Sequence, residues 1–329
     1  MTNRSPEAEI LVSVIHAENR IRSFIRETPL LPSPWLSKMT GGKVALKPEN
    51  WQVSGSFKIR GAANRLLSLT EKEKSLGAVT ASSGNNGAAF AHLSGRLGIP
   101  GIIFLPDTVP SAKLDALRDT GAEIRLFGDD CVKAESRARE YATESGRIFL
   151  SPYNDPLVVA GQGTIGHELL RRMPGLDTVL VPVGGGGLIS GIAGYLKGVN
   201  PGIRVIGCQP AHSPVMAESV RAGRILDMPS RPTLSDGTAG GIEPGSVTFP
   251  LCRRLVDEFV LVSEKEIAQA LSLMIERHHM LVEGAAALPL AVLLRKPRNF
   301  TGRHTALIIS GARIGSKVLS KILVQENIS

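Results

Sequence analysis

Short apolar runs alternate with longer amphipathic stretches along most of this chain. The runs that predict buried strands are residues 43–46, 78–81, 101–105, 123–127, 148–150, 178–183, 204–209, 259–262 and 306–309. The patterns that predict helices are residues 8–26, 62–69, 88–97, 111–120, 132–145, 163–172, 188–197, 264–279, 284–295 and 314–324. Strands that alternate with helices in this way are typical of parallel sheets covered on both faces. The predicted fold class is therefore α/β, with two open, mostly parallel twisted sheets flanked by helices.

Two domains are predicted from the order of these elements. Four strand–helix units between residues 77 and 152 are compact enough to form a small domain. The flanking segments, residues 1–76 and 153–329, would then form one larger domain. Residues 227–250 are rich in Pro, Gly, Ser and Thr, and we interpret them as an irregular wall of that domain rather than a linker.

The composition is that of a soluble globular protein, with 43% hydrophobic and 21% charged residues among 329. The net charge of +8 is spread along the chain without a run of five Lys or Arg, and aromatic residues make up only 4%. A nucleic-acid partner is therefore not expected, and a small anionic ligand fits the charge better. Cys131, Cys208 and Cys252 show no metal-ligand spacing, and no apolar stretch resembles a signal peptide or a membrane span. These features predict a reduced cytoplasmic setting without membrane contact.

Lys58 follows a strand and a Gly/Ser turn, and it stands at the start of a predicted helix. The positive end of the helix dipole disfavours an ammonium group at this position. The conflict is removed if the amine is neutral or is held as an imine, as in Schiff-base chemistry. For an arbitrary lysine, a solvated side chain on the helix face is the ordinary alternative. Phe57 stands beside the lysine, and a core position is the common one for phenylalanine.

Four consecutive glycines separate the strand 178–183 from the following helix: Gly184, Gly185, Gly186 and Gly187. Backbone without side chains lets several N–H groups converge on a phosphate, and the helix dipole adds to the attraction. Residues 188–190 are not glycines, so the dinucleotide fingerprint, with glycines at i, i+2 and i+5, is excluded. A tight packing turn is the alternative to phosphate binding.

Two further polar turns follow predicted strands. The first contains Ser82, Ser83, Gly84, Asn85 and Asn86. This turn suits an anion such as a substrate carboxylate, although an ordinary Ser/Asn helix cap would look the same. The second begins at Ser310, at the carboxyl edge where α/β proteins bind ligands.

These segments together resemble the serine/threonine dehydratase family of fold type II enzymes, which use pyridoxal 5′-phosphate (PLP). The resemblance rests on the segment around Lys58, on residues 82–85, on residues 184–188 and on Ser310 with Gly311. The motifs occur in the family's order, and the likeness extends from about residue 28 to about residue 323. It implies a fold of the tryptophan synthase β type, PLP as cofactor and an amino acid as substrate.

The resemblance also implies which residues form the site. The residues that would contact PLP are Phe57, Lys58, Asn85, Gly184, Gly185, Gly186, Gly187, Leu188, Glu283 and Ser310. The residues that would bind the substrate are Ser82, Ser83, Gly84, Asn85 and Asn86. Lys58 would carry PLP as an imine, and Ser83 would face it as a second catalytic acid/base. The tetraglycine would hold the 5′-phosphate, Asn85 the pyridine 3′-oxygen, and Ser310 the pyridine nitrogen.

The chain departs from the family pattern at several positions. Asn86 stands where the family usually has His, and Ala312-Arg313 stands where it usually has Gly-Asn. The first change affects how the substrate is placed. For the Ala312-Arg313 pair, the simpler interpretation is that Arg313 lies on the surface. The alternative is that Arg313 contacts an extra anionic group of the substrate. Some relatives bind a divalent cation after the strand 204–209, but Gln209 occupies the ligand position here, so we predict no metal site.

The resemblance predicts a PLP-dependent lyase that converts a hydroxy amino acid, by default L-threonine or L-serine, to a 2-oxo acid and ammonia. Residues 151–156 and 234–245 resemble the hydroxyectoine-utilisation branch of the family, which implies a hydroxylated amino acid from hydroxyectoine breakdown as a more specific substrate. A racemase or β-replacing synthase on the same fold, or a non-catalytic PLP-binding protein, are the alternatives. A homodimer is expected by analogy with the family.

Overall fold

The computed structural model of the chain describes residues 5–325. Its α-helices are α1 (Pro6–Ile21), α2 (Pro34–Thr40), α3 (Lys58–Leu67), α4 (Glu71–Leu76), α5 (Asn85–Leu97), α6 (Ser111–Arg118), α7 (Cys131–Ser145), α8 (Pro156–Arg172), α9 (Gly187–Val199), α10 (Val215–Ala222), α11 (Thr248–Leu255), α12 (Glu264–His278), α13 (Gly284–Arg295) and α14 (Ser316–Gln325). Its strands are β1 (Leu31–Pro32), β2 (Lys43–Pro48), β3 (Ala78–Ala81), β4 (Gly101–Leu105), β5 (Glu123–Leu126), β6 (Ile148–Phe149), β7 (Thr178–Pro182), β8 (Arg204–Pro210), β9 (Glu258–Val262) and β10 (His304–Ile309). Short 3₁₀ helices cover Glu49–Trp51, Asp236–Thr238 and Pro297–Phe300.

Two sheets organise these elements. The larger has the strand order β1-β2-β10-β7-β8-β9, and the smaller has the order β5-β4-β3-β6. Strand β1 pairs antiparallel with β2, and every other pairing between the named strands is parallel. The predicted α/β fold class with two mostly parallel sheets is confirmed.

The smaller sheet is built from one continuous stretch of chain, from Ala78 to Phe149. This stretch lies inside the segment 77–152 that the sequence predicts as a small domain. The boundaries of that domain stay a prediction. The larger sheet takes its strands from both sides of the stretch, so the chain leaves the large sheet after β2 and returns to it at β7.

Helix α8 begins seven residues earlier than the sequence pattern predicts, at Pro156 instead of residue 163. Asp155 caps it, since its side chain accepts hydrogen bonds from the backbone N–H groups of Leu157 (2.7 Å) and Val158 (3.3 Å). Proline is well suited to the first helical position, where its missing N–H costs nothing. The Asp-Pro pair is therefore the start signal, and the valines and glycines that follow it have low helix propensity, so the pattern does not predict this first part of the helix.

Four short helices, α2, α4, α10 and α11, and the two-residue strand β1 were not predicted. Thr70 and Glu73 form a capping box at the start of α4, and Ser33 caps α2 ahead of Pro34. These helices have only six to eight residues, too few turns to show a clear apolar period. A cap is the local signal for α2 and α4, whereas α10 and α11 have no side-chain cap.

The large sheet is covered on both faces. On one face Val179 and Val181 of β7 pack in a buried cluster with residues of α8 and α9. On the other face Leu180 and Ile309 pack with residues of α12 and α13. A parallel sheet with two covered faces exposes only its edges, and its ligands bind at the carboxyl ends of the strands. No helix within residues 5–325 is both long and apolar enough to cross a membrane.

Four charged side chains with at most 1% exposure tie β2, α3 and α8 together: Lys47, Glu49, Arg60 and Glu168. The Arg60 guanidinium donates to Glu49 Oε2 (2.7 Å) and to both carboxylate oxygens of Glu168 (2.8 Å each). Lys47 forms an ion pair with Glu168. Burial alone would raise the pKa of Glu168, but the charges of Arg60 and Lys47 outweigh it and hold that pKa at about 2. This neutral cluster fixes α3, the helix that starts with Lys58.

Candidate functional site

A cavity of about 370 Å³ opens where four helices begin. Its lining includes Lys58 of α3, Asn85 of α5, Gly187 of α9 and Glu283, the residue before α13. None of these four helices has a side-chain hydrogen bond that caps its first turn. Because the N-terminus of a helix carries partial positive charge and free N–H groups, the cavity is suited to anions.

Lys58 is the first residue of α3, and its Nζ donates to the backbone oxygen of Pro152 (2.8 Å). The amine also lies 5.1 Å from the centre of the Phe57 ring. Burial lowers the pKa of Lys58 to about 8, against the charge of Glu283, which favours the ammonium form. About a tenth of such amines is neutral at pH 7, far more than for an ordinary lysine. The environment therefore prepares Lys58 to act as a nucleophile and as a base.

The glycine loop lies between β7 and α9. The backbone N–H groups of Gly186, Gly187 and Leu188 donate to no other residue among those described. Gly184, Gly186, Gly187 and Leu188 line the cavity, whereas Gly185 packs against the ring of Tyr153. This arrangement presents several free amides and a helix N-terminus to a single group in the cavity, which is what a phosphate requires.

Replacing Gly186 with alanine is expected to weaken phosphate binding and to destabilise the fold. Gly186 has φ +87°, and a Cβ atom there would lie 2.8 Å from Cys252 Sγ and from Met216 Cε. The left-handed backbone alone costs about 1–2 kcal/mol for a residue with a Cβ. The checks are urea unfolding for stability and titration with inorganic phosphate for binding. Gly241→Ala, where no atom lies within 4 Å of the added Cβ and φ is not positive, serves as the control.

The polar turn after β3 also lines the cavity. Ser82, Ser83, Gly84, Asn85 and Asn86 are all part of the lining. Ser82 Oγ accepts a hydrogen bond from the N–H of Gly84 (3.2 Å), and the backbone N–H groups of Asn85 and Asn86 donate to no other described residue. A carboxylate at this turn would meet free amides at the start of α5.

Glu283 and Ser310 lie on another side of the cavity. Glu283 is 3% exposed, and its carboxylate accepts from Asn85 Nδ2 (2.8 Å) and from Ser310 Oγ (3.4 Å). Burial raises the pKa of Glu283 to about 7. The structure thus brings together every residue that the sequence nominated for the site, with Gly185 just behind the lining.

Several residues of the lining were not predicted from the sequence. They include Pro152, Asp236, Gly237 and Thr238. Tyr153 was missed as well, although its ring supports the glycine loop and its hydroxyl accepts from the N–H of Glu243 (2.8 Å). The Pro-Tyr and Asp-Gly pairs mark turns in the sequence, but nothing local shows that these turns meet at one cavity.

The residues that depart from the family pattern have defined positions. Asn86 turns its amide away from the turn and donates to Thr80 Oγ1 (3.0 Å). The side chain of Arg313 is exposed and is absent from the cavity lining, and its backbone N–H donates to Glu283 (3.3 Å). Gln209 Oε1 accepts from the N–H of Ala217 (3.0 Å). Among the described residues, no group of three or more His, Cys, Asp or Glu side chains could hold a metal ion.

The residues present fit PLP. Its phosphate matches the uncapped N-terminus of α9, and its aldehyde matches the amine of Lys58 with the lowered pKa. Its ring needs hydrogen-bond partners, and the cavity offers Ser310 Oγ and the amide of Asn85, whose buried Oδ1 has no partner among the described residues. The site therefore has a group for each functional part of the cofactor.

Comparisons with known proteins agree with this fit. The family model described as pyridoxal-phosphate dependent enzyme matches residues 21–311. An L-threonine ammonia-lyase of Geobacter sulfurreducens is 42% identical over 307 residues, which are 93% of this chain and 76% of the relative. The L-threonine dehydratase catabolic TdcB of Escherichia coli (strain K12) is 42% identical over 311 residues, 94% of each chain.

The solved structure of maize serine racemase superposes with a TM-score of 0.89 at 32% sequence identity, covering 96% of this chain and 97% of that one. A family match over most of the chain, together with relatives above 40% identity, decides its membership. The chain belongs to the pyridoxal-phosphate dependent enzyme family, and it is a PLP-dependent ammonia-lyase.

Proposed function

We propose that this enzyme converts L-threonine, and L-serine as a second substrate, to the corresponding 2-oxo acid and ammonia. The observation that carries the proposal is that one cavity contains the Lys58 amine and two uncapped helix N-termini, those of α5 and α9. This set supplies a base, a site for the substrate carboxylate and a site for the cofactor phosphate. The names of the relatives from Geobacter and Escherichia support threonine as the substrate.

Lys58 is the catalytic base in this proposal. When it is bound, PLP supplies an aldehyde carbon that links to amino groups and a conjugated ring that takes up the electron pair left at the α-carbon. The neutral amine of Lys58 removes the α-proton of the substrate. The ammonium formed on Lys58 shares the cavity with the β-hydroxyl and returns a proton to it, so that the hydroxyl leaves as water. Ser83, which lines the same cavity, is proposed as a second acid/base.

The remaining site residues bind and orient in this proposal. Amides of the turn from Ser82 to Asn86 hold the substrate carboxylate at the start of α5. Gly186, Gly187 and Leu188 donate to the cofactor phosphate. Ser310 and Asn85 bind the ring nitrogen and the 3′-oxygen, and Phe57 packs beside the lysine.

The arrangement of the whole molecule belongs to the same proposal. We take residues 77–152 as a small domain that closes over the substrate, because the turn from Ser82 to Asn86 belongs to the small sheet, whereas Lys58 and Ser310 adjoin the large one. The enzyme is proposed to act in the cytoplasm as a homodimer. Closure would exclude water from the site and strengthen every hydrogen bond within it.

A hydroxylated amino acid from hydroxyectoine breakdown is a second candidate substrate. The two segments that resemble the hydroxyectoine branch, residues 151–156 and 234–245, both contribute to the cavity, through Pro152 and through residues 236–238. Residues that distinguish a branch and also line the cavity are in a position to select the substrate side chain.

A substrate panel tests the proposal. L-threonine, L-serine, 3-hydroxyaspartate and hydroxyectoine-derived acids are each scored for 2-oxo acid and ammonia, and chiral chromatography scores inversion. We expect the highest kcat/KM for L-threonine. A clear preference for a hydroxyectoine-derived acid would replace threonine with the second candidate. Inversion of serine without ammonia release would show a racemase, and turnover only with an added thiol would show a β-replacing synthase.

A further inference from the structure

The carboxylate of Glu283 connects two groups that come from different sheets. Asn85 begins α5, directly after β3 of the small sheet, and donates to Glu283 Oε2 (2.8 Å). Ser310 follows β10 of the large sheet, and its hydroxyl lies 3.4 Å from Glu283 Oε1. A Cβ atom at Gly311 would lie 2.6 Å from the same carboxylate, so glycine is required for this close approach. Glu283 is therefore held in contact with both ring-binding groups.

The proton on Glu283 determines the direction of these hydrogen bonds. An ionised carboxylate can only accept, so the hydroxyl proton of Ser310 turns toward it and only the lone pairs of Ser310 Oγ face the cavity. A protonated carboxyl can donate to Ser310 Oγ, and the hydroxyl proton of Ser310 is then free to turn into the cavity. The same side chain thus presents either an acceptor or a donor to the ring nitrogen of the cofactor.

Both forms of Glu283 are accessible near neutral pH. Burial raises its pKa to about 7, and the charge of Asp236 acts in the same direction, whereas hydrogen bonds from Asn85, the Arg313 amide and Ser310 act against it. The charged groups that face it are Lys58 from α3 and Asp236 from the 3₁₀ helix Asp236–Thr238. The Nζ atom of Lys113, on α6, lies 3.8 Å from Oδ2 of Asp236. The groups that contact Glu283 from α5 and from the turn after β10 are neutral. They are the Asn85 side-chain amide, the Ser310 hydroxyl and the backbone N–H of Arg313.

We propose that Glu283 is a positioning residue whose proton decides whether Ser310 donates to or accepts from the ring nitrogen of the bound cofactor, and whose carboxylate holds the amide of Asn85 at the ring. The inference rests on the proposed placement of the ring between Lys58, Asn85 and Ser310. Glu283 acts through these two residues, so its replacement changes the electronic state of the ring rather than removing the base.

The test is the visible absorbance of the holoenzyme from about pH 5.5 to about pH 8.5, a range centred on the pKa of about 7. Wild type is expected to show a spectral transition with its midpoint near pH 7. Glu283→Gln should abolish this transition while PLP stays bound, because the amide keeps the shape and cannot ionise. Asp236→Asn should move the midpoint to lower pH, because removing a neighbouring negative charge makes Glu283 easier to ionise.

Glu135→Gln is the matched control, since Glu135 lines the same cavity and is not one of the residues that donate hydrogen bonds to the Glu283 carboxylate, which are Asn85, Ser310 and Arg313. It should keep the wild-type midpoint. An unchanged transition in Glu283→Gln would overturn the proposal, as would a wild-type spectrum that does not change with pH. If Glu283→Gln does not fold, the midpoint measured for Asp236→Asn decides the question. A midpoint that stays at the wild-type pH in this variant would contradict the proposal. Borohydride labelling of a residue other than Lys58 would instead contradict the placement of the ring.

Discussion

Replacing Lys58 with alanine is expected to lower kcat by about 10³-fold or more, the combined loss of a nucleophile and a general base. The amine has a pKa of about 8 and lies at the N-terminus of α3, and no other described side chain of the lining is an amine apart from Lys113. The variant should also lose the absorbance band at about 410–420 nm that a lysine-linked cofactor gives. Steady-state kinetics and spectra of protein incubated with PLP are the measurements.

Lys113→Ala is the control for this prediction. Lys113 also lines the cavity, its side chain is 49% exposed, and it lies on α6. After borohydride reduction, peptide mass mapping should find the cofactor on Lys58 in wild type and in Lys113→Ala. A labelled peptide that contains Lys113 in place of Lys58 would refute the assignment.

Replacing Glu168 with glutamine is expected to reduce the free energy of unfolding by about 3–5 kcal/mol, the usual cost of removing one partner from a buried ion cluster. Glu168 is fully buried between Arg60 and Lys47, so its loss leaves two buried cations with Glu49 as their only remaining carboxylate in the cluster. Since the pKa of Glu168 is lowered to about 2, its contribution is complete above the unfolded value of about 4.3 and is lost as the pH falls toward 2. Urea unfolding at neutral pH measures the effect.

The exposed pair of Arg204 and Glu258 provides the comparison. Their side chains are 42% and 44% exposed, so Glu258→Gln should cost at most about 1 kcal/mol. If Glu168→Gln unfolded at the same urea concentration as Glu258→Gln, the buried cluster would not hold α3 in the way described.

Most residues of the site could be nominated from the sequence because they belong to short local signals, whereas Glu283 was nominated only through the resemblance to the family. Three short motifs each indicate a chemical role within a few residues. They are a lysine after a Gly/Ser turn, a run of glycines after a strand and a Ser-Gly pair at the end of a strand. The alternation of strands and helices gave the fold class for the same reason, since periodicity is a local property. The order of the strands in the two sheets was not predicted, because pairing joins residues far apart in the chain.

The buried charges show most clearly what the sequence could not reveal. Glu168 contacts Lys47 across 121 positions and Arg60 across 108 positions. In the sequence, each of these residues by itself is expected to be an ordinary charged side chain on the surface of its helix or strand. Tyr153 was missed for the same physical reason, since its contact with Gly185 joins two loops that are separated in the sequence by helix α8 and strand β7.

The strand order of the large sheet also constrains when the site can form during synthesis. Strand β2, which leads to Lys58, pairs only with β1 and β10, and β10 is the last strand of the described chain to leave the ribosome. The small sheet, built from one uninterrupted segment, can form much earlier. We therefore expect the pocket around Lys58 to be completed late in synthesis, because nascent chains shorter than about 311 residues lack strand β10 and the bridge from Gly311 to Ser56.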